Sequence, residues 1–67
     1  MGKTKFLYAK CIKNEGQWLA NLYAEDDPRD NPILYILSAR NVGFLILSIE
    51  EYAINNKREL VAITLIY

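Results

Sequence analysis

The chain has no histidine, one cysteine, three glycines and two prolines, and its eight basic residues are cancelled by eight acidic ones. Each shortage removes a class of function. Without histidine, the side chain that ordinarily moves protons near neutral pH is missing. A lone thiol, Cys11, forms no internal disulfide, and with no histidine available it anchors no zinc site. The longest apolar stretch, 33–49, is broken by Ser38, Arg40 and Asn41. A spanning helix needs about 20 nearly uncharged residues, so no membrane segment is expected. The N-terminal apolar run is too short before Lys10 for a signal-peptide core. Met1-Gly2 lacks the hydroxyl residue that a myristoylation pattern wants at position 6, where Phe6 stands. One free thiol and no secretion signal fit the cytosol, and a cytoplasmic location is expected.

What is present is apolar. Such residues make up 52% of the 67, slightly above the usual range for a soluble domain. A chain this short, read as one domain over 1–67, buries only about 60% of its unfolded surface. Small domains compensate with disulfides, metals or oligomerisation. With the first two excluded, a dense core or a partner remains. Zero net charge offers little repulsion between copies. A homodimer is the expectation.

Turn residues punctuate the chain almost evenly, at Asn14-Glu15-Gly16, Asp27-Pro28 through Asn31-Pro32, Asn41-Val42-Gly43 and Asn55-Asn56. Residues 4–13 alternate, with Phe6, Tyr8 and Ile12 on one parity and Leu7, Ala9 and Cys11 on the other. Residues 17–25 set Trp18, Ala20, Leu22 and Ala24 against Leu19, Asn21 and Tyr23. Period-2 alternation with aromatic content predicts two strands. Gly16 between them suits a type I turn with a G1 bulge. The stretch 25–32 is acidic, carries both prolines and reads as a loop. Residues 33–39 read as a third strand, because on a helix Arg40 would fall within the only buried stripe. Residues 44–47 continue as a fourth strand after a second N-x-G turn. Ser48-Ile49-Glu50-Glu51 matches a capping box, predicting a short helix over 49–56. A last strand, 60–67, lacks charge and should be central or paired across an interface.

The expected fold is therefore mainly β: a five-stranded antiparallel meander or partly open barrel with one short helix before the final strand. The same element order occurs in SH3-like barrels, an analogy of topology alone. The alternative is an α+β arrangement, two hairpins flanking a helix over 31–41.

Five candidates carry chemistry worth weighing. Lys3, Lys5, Lys10 and Lys13 interleave with Tyr8, Trp18 and Tyr23, as phosphate and base contacts do in single-strand binders. The competing explanation is that the lysines protect an edge strand and the rings fill the core. Glu25, Asp26, Asp27 and Asp30 lack the spacing and glycine of a calcium loop and read as a solvated turn. Cys11 reads as a small buried hydrophobe. Glu50 and Glu51 are explained by capping. The tyrosines Tyr8, Tyr23, Tyr35, Tyr52 and Tyr67 have the character of binding hot spots if they reach the surface, and are otherwise ordinary strand residues.

No catalytic set, cofactor motif or metal cluster emerges. The reading is a non-enzymatic interaction or regulatory protein, homodimeric, binding a protein partner. Its small size is compatible with phage or mobile-element origin. The partner-binding residues expected are Lys5, Tyr8, Lys10, Lys13, Trp18, Tyr23, Tyr52 and Tyr67. The alternative is a single-stranded nucleic-acid binder using the basic aromatic hairpin.

Overall fold

In the computed structural model, which describes residues 5–24 and 32–66, four strands and one helix follow one another along the chain. Strand β1 (Lys5–Asn14) turns back into β2 (Gln17–Tyr23) through a two-residue loop. Both loop residues take positive φ, Glu15 at 48° and Gly16 at 79°. Positive φ at both central positions is the signature of a type I′ turn, whose twist matches the paired strands. The expected G1 bulge is therefore absent, and Asn14 pairs directly with Gln17.

Strand β3 (Tyr35–Ala39) lies antiparallel against β2, within the segment expected to be extended. The alternative helix over 31–41 does not form. From Asn41 onward the structure departs from the expectation. Helix α1 (Val42–Asn55) occupies both the expected fourth strand at 44–47 and the expected short helix at 49–56. Its start explains why. Asn41 is extended at φ −121°, its Oδ1 accepts from the Gly43 N–H at 2.7 Å, and its carbonyl accepts from Leu45 at 3.1 Å. That is an N-cap. The two N-x-G triplets look alike in sequence but do opposite things. Gly16 supplies a positive φ, whereas a Cβ on residue 43 would lie 2.9 Å from the capping Asn41 Oδ1. Ser48 therefore sits in mid-helix and caps nothing, and Glu50 and Glu51 are exposed along the helix flank.

The helix ends where the Asn56 N–H and Nδ2 both donate to the Tyr52 carbonyl, at 3.0 and 2.9 Å. Lys57 then turns left-handed at φ 55°, and its N–H donates to the Ile54 carbonyl at 3.1 Å. This returns the chain into β4 (Arg58–Ile66).

The sheet order is β3-β2-β1-β4. Because β4 runs parallel to β1, the sheet is mixed and not an antiparallel meander. It has four strands among the described residues, and β3 and β4 are separate edges, so it does not close into a barrel. Parallel strands need a crossover. Here β3 and β4 share a direction at opposite edges, and α1 makes the return across one face. The β1–β4 register slips by one residue: Leu7 faces Leu60, Tyr8 faces Ala62, and Val61 is the extra residue between. The Arg58 guanidinium donates to the Phe6 carbonyl at 3.1 Å, fastening the start of β4 to β1.

One parity of each inner strand meets the helix. Leu7, Ala9 and Cys11 of β1 and Trp18, Ala20 and Leu22 of β2 pack against Leu45, Ile49 and Ala53 of α1. The helix residues recur at i, i+4 and i+8, one stripe of a helical surface. Ala9 and Ala20 on the sheet, with Ala53 on the helix, let the two backbones approach closely. Leu7, Cys11, Leu22, Leu45 and Ile49 are all fully buried. Tyr52 closes one side of this core by stacking on Tyr35 of β3, with ring centres 5.4 Å apart and planes 16° from parallel.

Candidate functional site

The helix covers one side of the sheet. The pairing registers define what stands on the other. Across the strands run three rows. Tyr23, Tyr8 and Ala62 form the first, and Ile36, Asn21, Lys10 and Thr64 the second. The third is Ser38, Leu19, Ile12 and Ile66. Phe6 lies beyond the first row beside Glu59. Two apolar rows thus flank a central row whose middle members are polar. Ile12, Ile36, Ile66 and Phe6 are all exposed, Ile36 at 55%. Antiparallel sheets with a solvated face ordinarily alternate apolar-in with polar-out. This sheet also carries large apolar residues on its second face, on either side of a polar centre.

Charge on the open face is sparse. Lys10, half-buried between Asn21 and Thr64, is the cation near its middle, and Glu59 is the acid at its rim. Lys5 and Lys13 belong to the parity of Leu7 and Cys11, so they flank the helix side instead. The lysines of the N-terminal hairpin, adjacent in sequence, are divided between two faces of the sheet.

The aromatic residues divide likewise. Trp18 is buried in the core beneath the helix. Tyr8 is half-buried on the open face, and Tyr23, opposite it, is 8% exposed. Tyr52, a hot-spot candidate on condition that it reach the surface, is half-buried against the core and stacked on Tyr35. Tyr67, Lys3 and the acidic loop 25–31 lie outside the described residues. The structure therefore brings together Tyr8, Lys10 and Tyr23, and separates them from Lys5, Lys13, Trp18 and Tyr52.

The sequence reading missed Phe6, Ile12 and Ile36 as surface residues. The signal was present in the strand parities, since both were apolar and one helix can cover only one of them. A second exposed apolar group, Phe44, Leu47 and Ile54, lies on the outer side of α1, with Ile54 75% exposed.

Cys11 is fully buried, and burial pushes its thiol above the ordinary range by desolvating the thiolate. That is the reverse of an activated nucleophile. Among the described residues there is no pocket and no group of three potential metal ligands, and no helix is long and apolar enough to cross a membrane. No protein-family model, no curated protein and no solved structure matches this chain.

Proposed function

We propose that the chain is a non-enzymatic interaction module that docks a protein partner on the open face of its sheet. One observation carries this reading: on the face opposite the helix, Phe6, Ile12, Ile36 and Ile66, drawn from three of the four strands, are exposed around a polar centre. Exposed contiguous apolar surface on a small domain marks a docking site. An aromatic ring with a polar tip, here the half-buried Tyr8, is the kind of side chain enriched at binding hot spots. Lys10 near the centre calls for a partner that presents a carboxylate within an apolar surround. Left unpaired in a dry interface, that ammonium would oppose binding.

Capture from an extract of the native host tests the proposal. Ile12→Glu with Ile36→Glu charges the open face. Leu47→Glu with Ile54→Glu charges the outer helix instead. Both pairs alter exposed positions, and circular dichroism verifies that each still folds. The proposal expects a protein retained by the wild type and the helix variant, with at least tenfold weaker retention on the face variant. Retention by the face variant equal to wild type, or loss confined to the helix variant, overturns it.

A second reading, a platform for single-stranded nucleic acid, draws support from Tyr8 and Lys10 sharing that face. Bases stack on exposed rings while cations meet phosphates. With one lysine near the middle of the face, affinity for a labelled oligonucleotide should fall with a log–log salt slope of only about −0.7. Absence of binding at low salt removes this alternative.

A further inference from the structure

The two edges of the sheet are treated differently by the sequence. Edge β3 has five residues, is preceded by Pro32 and followed by Arg40, and is thus short and bounded. Edge β4 has nine residues, and from Leu60 to Ile66 it has no charge, proline or glycine. Natural sheets protect edges with shortness, inward charge, proline or bulges. The bulge at Val61 lies in the first half of β4 and leaves Ala62–Ile66 regular against β1. Val61, Leu65 and Ile66 are exposed.

We infer that β4 pairs antiparallel with β4 of a second copy, across a two-fold axis at Thr64. Closed symmetry selects this occupant. An isologous contact consumes both β4 edges and stops, whereas joining β4 to β3 would propagate a filament. Centring the axis on Thr64 sets Ala62 against Ile66 on the open face and Ile63 against Leu65 on the helix face. Thr64 meets its own copy. Every pair matches like with like, and Arg58 and Glu59 remain outside the paired stretch. Zero net charge adds no long-range repulsion between copies.

The geometry has a consequence. Directly opposed residues of an antiparallel pair share a face, so the axis stands perpendicular to the sheet. Both helices then lie on one side and both open faces on the other. Four strands at standard spacing, about seven residues long, give a face of about 19 by 23 Å, roughly 400 Å². That is about half of what each partner contributes to a standard interface. The eight-stranded dimer doubles it, bringing the docking surface to the usual size.

Charge variants at Thr64 test the pairing. Thr64→Glu places a carboxylate beside Lys10 within its own chain, which favours the fold, and opposite another carboxylate across the axis. Thr64→Lys places two ammonium groups there. Sedimentation velocity over a concentration series should show a wild-type dimer and about tenfold weaker self-association for each variant alone. Mixing the two variants should restore the dimer as a heterodimer. A wild type that stays monomeric, a Thr64→Glu protein that dimerises as well as wild type, or a mixture that fails to associate each overturns the pairing. None of these readouts requires the hetero-partner, so loss of capture and loss of dimerisation are separable results.

Discussion

Three residues in this chain have conformations or surroundings that make their substitutions informative. Gly16 sits at φ 79° with open space around it, so an added methyl would meet no neighbour. The cost of Gly16→Ala is therefore backbone strain alone, about 1 kcal/mol. Glu15, at φ 48°, is in a conformation that asparagine tolerates better. Glu15→Asn creates the Asn-Gly pair favoured by this turn and should stabilise by about 0.5 kcal/mol. Urea midpoints of the two variants, moving in opposite directions, check both.

Cys11 gives a pH dependence whose sign follows from its burial. Its folded pKa is raised, so the unfolded chain loses the thiol proton first as pH rises. Its contribution is complete below the unfolded value, about 8.5, and is lost as pH climbs from there through the folded value. Between neutrality and about pH 10, wild type should lose more stability than Cys11→Ala. Equal losses in the two proteins would contradict the assignment. The same burial makes the native thiol inert to an aromatic disulfide reagent until the chain is unfolded.

At the scale of elements, helix α1 is both the main surprise and the main support. Ile49→Ala should cost about 2–5 kcal/mol, because the side chain is fully buried between helix and sheet. The whole chain has only about 3–10 kcal/mol to lose at ordinary per-residue stabilities. That variant should lose a large share of the total and melt far below wild type, whereas Leu47→Ser on the outer side should melt close to wild type. Removing the cap with Asn41→Ala should cost about 1 kcal/mol. Thermal melts followed by circular dichroism order the three.

Which elements were legible in the sequence follows from their periodicity. Strands β1 and β2 announced themselves because parity alternated cleanly and Gly16 marked the turn. Strand β3 could be read because Arg40 had no tolerable place on a helix. Helix α1 hid because Phe44, Leu47 and Ile54 fill the side that should have been polar. Its buried stripe, Leu45, Ile49 and Ala53, was lost among apolar neighbours. The doublet Glu50-Glu51 then drew the helix start several residues too late. The parallel pairing of β4 had no local signal at all, since it depends on where the helix delivers the chain. The open face was half legible: Tyr8, Lys10 and Tyr23 were chosen, but nothing local separated them from Trp18, whose parity could be assigned only with the register.

At the scale of the whole molecule, one helix of 14 residues is asked to cover a four-stranded sheet. It covers one side, and the chain carries apolar residues for two. Excess apolar content thus acquires a location and not merely a percentage. On the readings proposed above, the open face would receive a partner and the β4 edge a second copy. Isolated protein should accordingly grow less soluble as salt rises. Charging Ile12 and Ile36 should improve solubility, an outcome that precipitation curves would register.

The claim beneath all of this is that α1 shields one sheet face and leaves the other in water. Methyl NMR with a soluble paramagnetic agent, on dilute protein, measures it residue by residue. The methyls of Ile12 and Ile36 should relax strongly, while those of Leu7, Leu22, Leu45 and Ile49 should be protected. Protection of Ile12 and Ile36 in the monomer, with strong relaxation at Leu7 and Leu22, would place the helix on the opposite side of the sheet and contradict the account.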